Sequence, residues 1–138
     1  MSIQVEILDG PLPADRGGWR YPGAGAVVCF DGIVRPQEGE LEIDGLHYRA
    51  YQPMAERELG RLARASVERF GVLAVHVTHS RGFVPAGGCA FRLHVAAAHR
   101  KEAIGAMDWF IDQLKRDVPI WKSAVDTEER VGTGKVFL

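Results

Sequence analysis

Two lysines, a histidine and two arginines stand where their side-chain chemistry would be useful. Lys115 and Lys122 bracket the segment KRDVPIWK. Pro119 lies between them and forces a turn, so the two amines are expected to converge on one pocket rather than trail along one helix. An ammonium group held near other cations and apolar surface acquires a lowered pKa and serves as a nucleophile or proton carrier near neutral pH. Trp121, beside Lys122, would supply the apolar wall. The plain alternative gives Lys115 to helix-dipole compensation and Lys122 to the surface. In VAAAHRKEA, His99 and Arg100 fall where a strand meets the start of a helix. Free backbone N–H groups favour an anion there, and the pair adds a titratable donor and a guanidinium fork suited to phosphate. Local capping is the alternative reading. Arg35 closes the strand FDGIVR and faces a glycine-containing loop, a place where binding residues often sit.

The elements that must hold these residues are legible from periodicity. Ile3, Val5 and Ile7 alternate as a half-buried strand, and GPLPADRGGWRYPGAG (10–25) reads as an irregular connection. Ala26 to Val34, AVVCFDGIV, reads as a central strand with a bulge at Gly32. RPQEGELEIDG reads as a polar turn region, followed by a strand over Leu46–Tyr51. Pro53 suits a first helical turn, Leu59, Leu62, Ala63, Val67 and Phe70 share one face, and Gly71 ends the helix. Arg57, Arg61 and Arg64 form its solvated stripe. Leu73, Val75 and Val77 alternate in the next strand, SRGFVPAGG reads as a loop, and Cys89, Phe91, Leu93 and Val95 share a strand face. The second helix spans about Arg100 to Arg116, with Ala103, Ile104, Met107, Phe110, Ile111 and Leu114 on its apolar face and Pro119 as its stop. The chain from Ile120 onward is mixed, with a terminal strand at Lys135–Leu138. The order predicts a single α+β domain over 1–138 with a largely antiparallel sheet.

Composition narrows the function classes. The chain has 138 residues, 46% hydrophobic and 25% charged, the balance of an ordinary globular protein. Seventeen basic residues against eighteen acidic ones give a net charge of −1, which argues against a nucleic-acid binder. The sequence carries neither an apolar run of membrane-spanning length nor the start of a signal peptide, so the expected compartment is the cytoplasm. Cys29 and Cys89 read as buried hydrophobes in a reducing compartment. His47, His76, His79 and His94 read as ordinary strand residues, and neither a metal nor a cofactor is assigned. Walker A, G-x-G-x-x-G and G-x-S-x-G signatures are absent from the sequence, which removes support for nucleotide kinases, dinucleotide enzymes and serine hydrolases.

The segments GAVVCFDGIVR, LHYRAYQPMAERELGRLA and VTHSRGFVPAGGCAFRLHVAAAHRKEAIGAMDWFIDQLKRDVPIWK together resemble the large, catalytic subunit family of molybdopterin synthase. The resemblance covers about Gly25 to Lys122, and its most specific part is AHR, then an amphipathic helix, then LKRDVPIWK. It implies an α/β hammerhead fold with an added antiparallel β subdomain. It also implies a sulfurtransferase that converts cyclic pyranopterin monophosphate into molybdopterin, a dithiolene, in molybdenum cofactor biosynthesis. The sulfur arrives as a thiocarboxylate on the C-terminal Gly-Gly of a small ubiquitin-like subunit, and two large subunits form the central homodimer of a heterotetramer. The family's functional positions match Arg35, His99, Arg100, Lys115 and Lys122. The resemblance makes Lys115 the main catalytic residue, with Lys122 holding the tail carboxylate or substrate. Arg35, His99 and Arg100 would contact the phosphate or pterin, with Phe30 and Trp121 as apolar walls. Departures are the short loop PQEGE, Ser123 and Ala124 after the WK pair, and the tail GTGKVFL. These motivate one alternative, a non-catalytic binding subunit of the same fold that keeps partner or dimer contacts.

Overall fold

In this computed structural model, residues 1–126 and 136–137 are described. The strands before the first helix are β1 (Ser2–Asp9), β2 (Ala26–Ile33), the short pair β3 (Gln37–Glu38) and β4 (Leu41–Glu42), and β5 (Gly45–Ala50). Helix α1 (Met54–Phe70) precedes β6 (Ala74–Pro85) and β7 (Cys89–Ala97). Helix α2 (Arg100–Asp117) then leads into β8 (Ile120–Val125) and β9 (Val136–Phe137). The predicted terminal strand is thus present at Val136–Phe137, while Lys135 and Leu138 lie outside the described residues, as does most of the GTGKVFL tail.

Strand β7 is antiparallel to β2 on one side and to β6 on the other, and β1 runs parallel to β6. Beyond His79, β6 leaves β7 and pairs its Gly82–Pro85 end with β5. Strand β5 then pairs with β8, and β8 with β9, all antiparallel. One twelve-residue strand therefore belongs to two sheets. This is the α+β arrangement with a largely antiparallel sheet that the element order predicts, and it fits the hammerhead with an added antiparallel subdomain that the resemblance implies. Three details differ from the sequence reading. SRGFVPAGG is largely strand rather than loop, because ladder bonds to β5 hold it extended despite its glycine and proline. The apolar run of β2 marks an edge strand with β7 as its partner, not a central one. Ile120–Val125, without a clean period, becomes a strand by pairing with β5. The expected bulge is there, with the register shifting between Gly32 and Ile33.

Both helices cover one face of the main sheet. Pro53 caps α1 at its start, and Gly71 ends it in the left-handed conformation at φ 70°, its N–H donating to the Val67 carbonyl. Leu59, Leu62 and Ala63 are fully buried against Val75, Val77, Leu93 and Val95. From α2, Ala103, Ala106 and Phe110 enter the same core, and Met107, Ile111 and Leu114 pack at its margin. Ile104 does not join them, being 55% exposed. Cys89 is buried as expected, but Cys29 is exposed, because strand alternation turns it to the sheet face away from the helices. Among the described residues no helix is long and apolar enough to cross a membrane.

Candidate functional site

On the helix-covered face of β6, alternation sets Val75, Val77 and His79 in one row, and the third sits beside a cavity rather than under a helix. The cavity encloses about 270 Å³ where the end of α2 meets both sheets. Ile111, Leu114, Lys115 and Val118 line it from α2 and the turn beyond, an i, i+3, i+4, i+7 stripe that puts Lys115 on the same face as apolar neighbours. Phe30, Gly32 and Ile33 come from the bulged end of β2, and Ala90 and Phe91 from β7. Tyr48 of β5 and Ile120 and Lys122 of β8 close the far side.

The turn at Val118–Pro119 does bring the two lysines to one cavity. Lys122 sits opposite Tyr48 in the β5–β8 ladder, and its Nζ lies 4.0 Å from the Glu38 carboxylate of β3. Burial, with Glu38 nearby, pushes the Tyr48 hydroxyl up to about 12, so it stays a neutral O–H donor. Phe30 forms an apolar wall as expected. Trp121 does not: adjacent strand residues point to opposite faces, so Lys122 enters the cavity while Trp121 turns away.

His79 is the feature that sequence reasoning passed over. It is 6% exposed, stacks edge-on against Tyr48 with ring centroids 5.3 Å apart, and lies 5.8 Å from the Phe91 ring. Its Nδ1 is 2.8 Å from the Ser80 carbonyl oxygen. Burial drives its pKa down to about 4, so the ring is neutral. The available signal was the Val75–Val77–His79 alternation, which puts a polar ring at a core-facing position.

Arg35, His99 and Arg100 are exposed and contribute nothing to the lining of the cavity. Arg35 stands two residues beyond the end of β2, whose Gly32 and Ile33 do line it. His99 caps α2 with extended backbone, its Nδ1 3.4 Å from the Glu102 carboxylate, and Arg100 is the first helical residue. Lys115 stands fifteen residues further along the same 18-residue helix, which at 1.5 Å per residue puts the two ends about 22 Å apart. The backbone positions of Arg100 and Lys115 in one chain are therefore far apart on the scale of a small substrate.

On the opposite sheet face, ligand atoms of Asp15, Cys29 and His94 lie within 4.8 Å of one another. The Cys29 thiol donates to Asp15 Oδ2 at 3.4 Å, and His94 Nε2 is also 3.4 Å from that oxygen. Partial burial, with Asp15 beside it, pushes the thiol up to about 12. The trio engages itself, under the Trp19 ring that packs on His94 and His76.

Comparison with known proteins adds an independent line. A family model described as "MoaE protein" matches residues 13–117. A curated relative from Thermoplasma volcanium, a molybdopterin synthase catalytic subunit, is 36% identical, and the alignment covers 88% of this chain and 90% of the relative. One from Staphylococcus carnosus, of the same description, is 34% identical over 94% of this chain and 89% of its own. Among solved structures, molybdopterin synthase from Staphylococcus aureus superposes with a TM-score of 0.79 at 30% identity, covering 88% of this chain and 90% of that one. A complex of subunits 1 and 2 of molybdopterin-converting factor from Helicobacter pylori shares the fold, with a TM-score of 0.69 at 24% identity and 92% coverage of both chains.

Proposed function

The chain belongs to the MoaE protein family, and from that premise we propose how its cavity works as the catalytic site of a molybdopterin synthase. It is a catalytic subunit, a sulfurtransferase of molybdenum cofactor biosynthesis, as its curated relatives are. The observation that carries the reading is the convergence of Lys115 and Lys122 on one aromatic-floored cavity. The substrate is cyclic pyranopterin monophosphate, whose ring system suits the floor of Phe30, Phe91 and Tyr48. The sulfur donor is the thiocarboxylated Gly-Gly tail of a small ubiquitin-like subunit, thin enough to enter a narrow channel. Lys115 stabilises the negative charge that develops as sulfur moves, or transfers the accompanying proton. Lys122 anchors the tail carboxylate or the substrate by a charge-assisted hydrogen bond. The non-catalytic alternative fits less well, since both amines and the cavity are present.

Arg35, His99 and Arg100 recognise phosphate in this reading. With the two ends of α2 about 22 Å apart, His99 and Arg100 in this reading serve the cavity of a second copy, which makes the homodimer part of the site. The cytoplasm is the compartment we assign, supported by the free thiols Cys29 and Cys89. The test is a purified assay with the thiocarboxylated partner and cyclic pyranopterin monophosphate, read as dithiolene product. Absence of product from a folded, partner-bound protein would overturn the reading.

A further inference from the structure

A third polar group lines the cavity beside the two lysines. His79 occupies the last position at which β6 still pairs with β7, opposite Phe91. One residue later β6 has left β7, while its ladder with β1 runs on through Ser80 and Arg81 and its ladder with β5 begins at Gly82. The Ser80 carbonyl lies just past the end of the β7 ladder, and His79 Nδ1 lies 2.8 Å from it. A carbonyl oxygen can only accept, so Nδ1 carries the ring proton. The neutral ring then has its lone pair on Nε2, and Ser80 is its one hydrogen-bond partner among the described residues. An inner-face position that served packing alone would take an aliphatic side chain, as Val75 and Val77 do in the same row. Here a ring with a fixed tautomer lines a cavity whose other polar groups are donors: two ammonium groups and the Tyr48 hydroxyl.

We propose that His79 is a substrate-positioning residue whose Nε2 accepts a hydrogen bond from an N–H of the nitrogen heterocycle bound on the cavity floor. The proposal rests on the pterin substrate of the preceding section. Pterin edges are rich in N–H donors, and His79 sits among the aromatic rings that would sandwich them, Tyr48 and Phe91. Burial keeps the ring uncharged, which preserves the acceptor next to two cations. The two nitrogens have separate duties: Nδ1 holds the backbone at the sheet crossover, and Nε2 reads the ligand.

Two substitutions separate those duties. His79→Asn can place its amide N–H near the Nδ1 position, keeping the Ser80 bond, while leaving nothing at Nε2. His79→Gln reaches the Nε2 position with an amide oxygen and gives up the Nδ1 donor. Calorimetric titration with cyclic pyranopterin monophosphate should show roughly tenfold weaker binding for His79→Asn, the worth of one hydrogen bond in a desolvated site, and recovery to within about threefold for His79→Gln. Affinity for the small protein partner should not change in either. Histidine ¹⁵N spectra of the wild type should show the Nε2 signal moving on substrate addition while Nδ1 stays put. Wild-type binding for a folded His79→Asn, or a still Nε2 signal in saturated protein, would overturn the proposal and leave the synthase reading standing. A wild-type protein that does not bind the pterin at all sinks both, and that arm is run first.

Discussion

On the proposed mechanism, replacing Lys115 by alanine should separate catalysis from folding. Lys115 is exposed at the cavity rim, on the face of α2 shared with Ile111 and Leu114, and it has no buried contact to lose. Its structural contribution is as one of two cations in the last turn, and Arg116 remains when it is removed. Losing one such charge costs about 0.3–1 kcal/mol. The catalytic loss is larger. A unit charge about 4 Å from developing negative charge contributes about 1 kcal/mol in water and about 4 kcal/mol at an effective dielectric of 20. A rim position against apolar walls falls between these, at about 2–3 kcal/mol, so sulfur transfer should slow by roughly 10²-fold.

The assay is single-turnover conversion of cyclic pyranopterin monophosphate with excess thiocarboxylated partner, alongside thermal melts of the same samples. The expected pattern is a melt within a few degrees of wild type and a rate down by about two orders of magnitude. Lys115→Arg distinguishes the two roles. It should retain much of the rate if charge is what matters, and fall with alanine if a proton must move, since arginine stays protonated. A Lys115→Ala protein that turns over within about threefold of wild type would refute the electrostatic argument.

The shared-site geometry predicts complementation: Lys115→Ala and Arg100→Ala proteins, each impaired, should regain roughly a quarter of wild-type activity when co-refolded, because random pairing gives half heterodimers with one intact site each. No recovery would place both ends of α2 in separate functions. The histidine buried at the cavity floor predicts an acid-side loss of stability. Its folded pKa of about 4 lies below the ordinary 6.5, so the unfolded chain binds the extra proton. Stability present above pH 6.5 should fall as pH drops toward 4, by about 3 kcal/mol at most, and the pH slope of urea midpoints should flatten in His79→Asn. Glu38→Gln should lower the Tyr48 pKa, since the Glu38 carboxylate disfavours the phenolate, and ultraviolet titration of the tyrosines will show whether it does. Phe110→Ala, at a fully buried position in α2, should cost about 3–5 kcal/mol by denaturant melts and leave little folded protein to assay.

Much of this molecule was readable before any coordinates. Both helices lie where 3.6-residue periodicity, Pro53, Gly71 and Pro119 predict them, because caps and apolar stripes are local properties of the chain. The strands whose alternation is clean, around Val5, Val77 and Leu93, were equally legible, and so was the bulge at Gly32. The pairing of Lys115 with Lys122 was also within reach, since the turn that brings them together lies within a few residues of both. Tertiary structure decided the rest. Gly82–Pro85 and Ile120–Val125 are strands because β5 lies between them and offers ladder bonds to each, a fact no local pattern carries. Whether Trp121 or Lys122 faces the cavity depends on the register of that pairing, and a one-residue slip exchanges them. The length of α2 sets Arg100 and Lys115 about 22 Å apart along the helix, a separation that depends on the whole segment being helical. His79 looked like one strand histidine among four, since the sequence alone does not say where a buried row of side chains runs out from under a helix and meets open space. Local chemistry is written in neighbouring residues; the cavity is made by residues from five strands and a helix that meet only when the sheets are assembled.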